Sequence, residues 1–248
     1  MTAVANVLKA VLPRSASDRL SRTVTAYRRY RALDAQLRQL CVDYSACTTW
    51  DEKVELVRNH KSLGAIQQHK ELAELLSLLA QNPSRYICEI GACSGGTLFL
   101  LARIAHPEAL LVSVDINLPW ERRTVHARLA TRNQRVISIC GDSRSPATFQ
   151  QVRSALNGQS LDFLFIDGDH AYEAVIADFL NYRPLVRSGG LIAFHDIVPD
   201  FDSRYGTPTG HHAGGVPRFW QEIKTQYKTS ELIEDPGQDG FGIGIIHW

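Results

Sequence analysis

From Arg85 onward, short β-rich apolar runs alternate with helix-patterned stretches, and each run has an acid or a glycine at or beside its last residue. The runs are Tyr86–Ile90, Leu110–Ile116, Arg135–Cys140, Leu161–Asp167 and Leu191–Asp196. Helical patterns fill the gaps at Thr97–His106, Arg122–Thr131, Pro146–Asn157 and Tyr172–Tyr182. Strands joined through helices run parallel, and a parallel sheet needs helices over both faces. Pro146 after Ser145 suits a helix opening, because proline fits the first turn and serine can cap it. The tail differs. A helix over Val216–Tyr227 precedes Glu231–Glu234, a turn at Asp235-Pro236-Gly237 and a last run at Phe241–His247, which predicts an antiparallel hairpin at the sheet edge. The expected fold is α/β, with a seven-stranded, mostly parallel sheet.

Before Arg85 the periodicity is helical. Leu20, Val24, Tyr27, Tyr30, Leu37 and Leu40 recur at steps of three, four or seven over Ser17–Leu40. Leu63, Ile66, Leu72, Leu75, Leu76 and Leu79 form a stripe over Ser62–Gln81, which Asn82-Pro83 ends. Residues 1–80 therefore read as an N-terminal helical extension and 81–248 as the sheet domain.

The 248 residues carry a net charge of +1, which gives no electrostatic case for nucleic acid. The first forty hold eight Lys or Arg against two Asp, read as a solvated helix face. No stretch approaches the run of about 20 apolar residues that spans a bilayer. The five cysteines include no CxxC pair, which argues against a disulfide framework or a zinc cluster and suits a reducing cytoplasm. Cys88 and Cys140, inside apolar runs, are expected in the core.

Cys88-Glu89-Ile90-Gly91-Ala92-Cys93-Ser94-Gly95-Gly96-Thr97 follows the first strand and opens a helix. In an open α/β sheet, ligands bind outside the carboxyl ends of the strands at such a turn. Cys93 replaces the second glycine of a dinucleotide GxGxxG, where the backbone must approach pyrophosphate closely. Glu89 suits a cationic ligand end better than a phosphate. A ligand-free tight turn is the other reading. Asp115 ends the second strand, where a carboxylate can accept from both ribose hydroxyls. Asp142, after the third, is open to two readings, an adenine contact or a helix cap ahead of Pro146.

This row of strand-end acids resembles the class I S-adenosylmethionine-dependent methyltransferases. The resemblance covers about residues 85 to 248 and implies a Rossmann-like fold with S-adenosylmethionine as cofactor. It implies that Glu89, Gly91, Gly95, Asp115, Asp142 and Ser143 hold the cofactor.

The fourth run ends in Asp167-Gly-Asp169-His170 and the fifth in His195-Asp196. Adjacent parallel strands would bring these ends together at the same edge. Structural readings exist: Asp169 as a helix cap, His170 as its solvent-facing neighbour, Asp167 and Asp196 as loop-start acids. Methyl transfer to a hydroxyl needs a base to take its proton or a metal to acidify it. The segments Asp167–Glu173, Phe194–Asp196 and Gly215–Trp220 resemble the metal-dependent sugar and macrolide-glycoside O-methyltransferases, whose relatives include chains called cephalosporin hydroxylases. That resemblance implies metal ligands at Asp167, His195 and Asp196, and His170 as general base. His195 departs from the family pattern, which usually has two acids, or an acid and an amide, where this chain has His195-Asp196. Magnesium prefers oxygen shells, so an imidazole ligand points to manganese or iron, or else His195 only orients substrate.

The loop from Val198 to Gly215 has a lid's composition, with Tyr205, Arg204, His211 and His212 able to touch substrate, although His211-His212 reads first as a solvated loop pair. Ser62–Gln68 lies where relatives cover the methionine and acceptor site. The resemblance implies a small-molecule hydroxyl acceptor, a sugar or glycosylated natural product first and a phenolic or other natural-product hydroxyl second, and a homo-oligomer. The competing classes are a nicotinamide-dependent oxidoreductase, against which Cys93 speaks, a non-catalytic partner module, and a nucleic-acid or protein methyltransferase.

Overall fold

The computed structural model describes residues 14–131 and 133–248. Helices α1 (Arg14–Ala46), α2 (Trp50–Arg58) and α3 (His69–Ala80) precede the sheet. Then follow β1 (Tyr86–Ile90), α4 (Gly96–Ile104), β2 (Leu110–Asp115), α5 (Trp120–His126), β3 (Arg135–Cys140), α6 (Pro146–Leu156), β4 (Leu161–Ile166), α7 (Tyr172–Tyr182) and β5 (Val186–His195). The chain ends with α8 (Phe201–Tyr205), α9 (Val216–Ile223), β6 (Lys228–Leu232) and β7 (Ile243–His247). The strand order is β3-β2-β1-β4-β5-β7-β6. The expected Rossmann-like, seven-stranded α/β sheet is present. β1 to β5 pair parallel, and β7 inserts antiparallel between β5 and β6.

Alternation along each strand builds two cores. Ile87, Leu111, Phe163 and Phe165 pack with Leu37 and Leu40 of α1, Val54 and Val57 of α2, Leu72 to Leu79 of α3 and the buried side of α4. Cys88, Ile90, Leu164 and Ile166 face the opposite layer, with Val152, Val175, Phe179 and Trp220 from α6, α7 and α9. The side chains at i and i+2 of a strand share a face, so one pleat feeds both layers. Residues 37 to 79 thus share a core with the sheet. Among the described residues, no helix is long and apolar enough to cross a membrane.

Three elements differ from the sequence reading. α2 was not expected, although Thr49 and Glu52 form a capping box at its start. The predicted helix from Ser62 begins only at His69. The backbone at Gly64 lies against Gly96, where a Cβ would come within 2.3 Å of the Gly64 carbonyl carbon. This close packing holds residues 62–65 off the helical path in spite of their apolar spacing. The Val198–Gly215 loop contains α8, which Asp200 caps by accepting from the Ser203 N–H (2.8 Å). Cys88 is buried as expected, but Cys140 is exposed. It ends the edge strand β3, which has a neighbour on one side only.

Gly96→Val is expected to lower stability by about 1–3 kcal/mol, as overpacking typically does, because the 62–65 backbone must move. Urea unfolding measures it, and an unchanged midpoint would mean that this backbone does not rest on α4.

Candidate active site

The sheet order reverses between β1 and β4. At their carboxyl ends lies a cleft of about 340 Å³, lined by Gly91, Cys93, Asp115, Asp142, Ser143, Arg144, Asp167 and Asp169 among others. This is the place where open α/β sheets bind ligands. Gly91 has φ +91°, and a Cβ there would sit 1.8 Å from the Asp167 carbonyl oxygen. Only glycine allows the turn after β1 to pass so near the end of β4.

The acids around this cleft differ in setting. Asp115 accepts from the Cys93 N–H through one oxygen (2.7 Å) and from the Asn117 N–H through the other (2.8 Å), so it shapes the glycine turn as well as lining the cleft. Asp142 accepts from the Arg144 backbone and guanidinium at 3.0 Å, and these bonds hold its carboxyl below the usual range. Only its backbone carbonyl meets the start of α6, accepting from the Ser145 N–H (3.0 Å), so a side-chain cap by Asp142 is not formed. Arg144 also reaches Asp169 (3.4 Å), and nothing in the sequence signalled that role. Gly95 is the left-handed N-cap residue of α4, backed by His126. Glu89 stands back from the cleft, 1% exposed, with Oε2 unpartnered. Burial, then Asp167 and Asp115, push its carboxyl well above the usual carboxylate range.

Beyond Asp167 lies the second group. His195 Nδ1 is 3.1 Å from both Asp167 Oδ1 and Asp196 Oδ2. His170 Nε2 is 3.6 Å and 3.4 Å from the same two oxygens. His170 is half-buried rather than solvent-facing, and its Nδ1 donates to the His212 carbonyl. The other carboxylate oxygens are held from behind. Asp167 Oδ2 accepts from Gln67 Nε2 (2.6 Å), whose Oε1 accepts from Thr97 Oγ1 (2.8 Å). Asp196 Oδ1 accepts from the Phe241 N–H (3.1 Å). Asp169 accepts from the Ala171 N–H (3.0 Å), a local turn ahead of α7.

Burial opposes charge on Asp167, but His195 and His170 outweigh it and leave the carboxyl at about 2. The hydrogen bond to Asp167, against burial and aided by Asp196, lifts His170 to about 9. Burial likewise opposes a charge on His195, yet the two acids hold its imidazole well above its ordinary value. Single ligand atoms of Asp167, His170 and Asp196 lie within 4.8 Å of one another, near enough to share one cation, so this grouping has His170 as its imidazole where the sequence reading took His195. Two carboxylates with imidazole suit manganese or iron. The His195 Nε2 atom is buried without a partner.

Residues 88–197 match the family model described as a methyltransferase domain. The O-methyltransferase of Bacillus cereus, solved with S-adenosylhomocysteine, shares 20% identity over 86% of this chain and 90% of its own, with a TM-score of 0.56. The O-methyltransferase TomG of Streptomyces achromogenes, involved in tomaymycin synthesis and solved with S-adenosylmethionine, shares 19% identity over 82% of this chain and 91% of its own (TM-score 0.51). Two curated relatives are uncharacterized proteins, 27% identical over 50% of this chain in Sinorhizobium fredii and 29% identical over 58% in Acanthamoeba polyphaga mimivirus. The matches span 12% and 66% of those relatives' lengths. The domain match covers residues 88–197, and the likeness to these solved O-methyltransferases is one of fold.

The donor turn also sets a pH dependence. His126 lies behind Gly95, with Nδ1 3.2 Å from Ser138 Oγ and Nε2 3.4 Å from the Ser94 carbonyl. Burial, reinforced by Arg122, lowers its pKa to about 4. The fold therefore prefers the neutral ring. Its stabilising contribution is complete above about 6.5 and is lost as pH falls towards 4, because the unfolded chain takes up the proton first; the full loss is on the order of 3 kcal/mol. Denaturation at pH 7 and pH 4.5 should show a smaller acid loss for His126→Asn than for the natural chain. Equal losses would rule out this origin.

Proposed function

We propose that this chain moves a methyl group from S-adenosylmethionine to a hydroxyl of a small molecule. One observation carries the reading: Asp167 lines the donor cleft and also belongs to the cluster with His170, His195 and Asp196. A donor lying across Gly91, Asp115 and Asp142 would end beside groups suited to activate an oxygen. On the far side of His170, a second cleft of about 500 Å³ is lined by Asp169, Tyr172, His211 and Arg218. We assign it to the acceptor. Its aromatic and polar walls suit a sugar or glycosylated natural product.

The transfer is an in-line displacement. The acceptor oxygen forms a bond to the methyl carbon, the carbon–sulfur bond breaks, and the positive sulfonium becomes a neutral thioether. The hydroxyl proton must leave, and His170 is placed to take it. Its Nδ1 is fixed on the His212 carbonyl, so Nε2 faces the cluster. An imidazole at about 9 is protonated at neutral pH, so this role requires the two carboxylates to be engaged elsewhere. Ligation of a divalent cation by them would do that. Asp167, His195 and Asp196 would hold the ion, and the bound ion would lower the hydroxyl's pKa. Gln67 and the Phe241 N–H keep the acids turned inward. Orientation of donor and acceptor supplies much of the remaining rate.

S-adenosylhomocysteine is expected to bind by calorimetry with or without chelator, and Asp115→Ala to weaken it. With a library of glycosylated and phenolic acceptors, methyl transfer should disappear on chelation and return with Mn²⁺. His170→Ala should lower kcat by about 10²–10⁴, the usual contribution of acid–base groups. Failure to bind any S-adenosyl ligand overturns the whole reading. Full activity in chelator removes the metal alone.

A further inference from the structure

We propose that Glu71 is a positioning residue, which sets Asp196 for cation binding by pinning the 233–242 connection behind it. The inference rests on the reading of Asp167, His195 and Asp196 as cation ligands.

Glu71 is completely buried. It falls on the apolar stripe of α3, where a carboxylate costs energy unless it is hydrogen-bonded. Its partners all come from one stretch of chain. Oε1 accepts from Gln238 Nε2 (2.6 Å) and the Glu234 N–H (3.3 Å), and Oε2 accepts from the Gly242 N–H (2.9 Å). Gln238 Nε2 also donates to the Gly240 carbonyl (2.9 Å). One side chain thus gathers the whole connection between β6 and β7.

That connection holds the reacting cluster at two points. The Phe241 N–H donates to Asp196 Oδ1 (3.1 Å), while the Phe241 carbonyl accepts from the Val198 N–H (2.9 Å). The Asp239 carbonyl takes a hydrogen bond from His212 Nε2 (3.1 Å), and the His212 carbonyl accepts from His170. Asp196 and Phe241 both have φ of 61°. Non-glycine residues keep left-handed backbone only where their surroundings over-determine it. Glu71 supplies that restraint, since Gly242 adjoins Phe241 directly. An apolar residue at position 71 would fill the space but leave three donors without an acceptor.

Partners that orient metal ligands typically contribute 10- to 100-fold to affinity. The test uses the full chain, with Mn²⁺ followed by electron paramagnetic resonance and S-adenosylhomocysteine by calorimetry. Glu71→Gln and Gln238→Ala are expected to weaken Mn²⁺ by about 10- to 100-fold, with S-adenosylhomocysteine affinity kept. Should Glu71→Gln fail to fold, Gln238→Ala decides. Unchanged Mn²⁺ affinity in the variants overturns the inference. So does a parallel loss of both ligands, which would mark Glu71 as a support of the fold alone. If the natural chain itself binds no Mn²⁺, the cation reading falls and takes this inference with it.

Discussion

The close passage of the Gly91 turn over the Asp167 carbonyl is the contact on which the rest of the site depends. It joins the exit of β1 to the exit of β4, where the sheet order reverses. Any side chain at position 91 would separate them, since its first carbon would overlap the carbonyl oxygen. Because the two exits touch, the cleft and the acid–imidazole cluster share Asp167.

The cluster concentrates charge that the interior would otherwise reject. Buried carboxylates are tolerated when they are paired and hydrogen-bonded. Asp167 and Asp196 each divide their oxygens, with one tied to the scaffold by Gln67 or Phe241 and one shared with two imidazoles. The tied oxygens fix the direction of the free ones. That arrangement serves a cation as readily as a proton, because either places positive charge between the acids. Glu89 Oε2, behind the cleft, and His195 Nε2, within the cluster, are buried without a partner.

Much of this could be read from the chain. The strand-end positions of Asp115, Asp142, Asp167 and His195-Asp196 followed from apolar runs that stop abruptly, and parallel strands bring such stops to one edge. The edge strand was harder to read. Cys140 sits in an apolar run yet is exposed, because β3 has a neighbour on one side only, and strand order is not a local property. The segment from Ser62 was read as helix on its spacing, but its backbone is held against Gly96. Gln67, within it, was expected only to cover the site, whereas it bonds Asp167 directly. Glu71 had a faint signal, an acid on an otherwise apolar helical stripe. Arg144 had none.

The sequence by itself determined the alternation of strands and helices, the glycine turn and the supply of acids and histidines at strand ends. These follow from side-chain period and backbone freedom, which act over a few residues. The tertiary structure alone decided which oxygens face inward, which imidazole bridges them, and how a carboxylate on α3 reaches the last connection of the sheet. Those outcomes depend on contacts across the chain, from 28 positions between Asp167 and His195 to 171 between Glu71 and Gly242, brought together by burial of the two cores, and no local pattern encodes their distances.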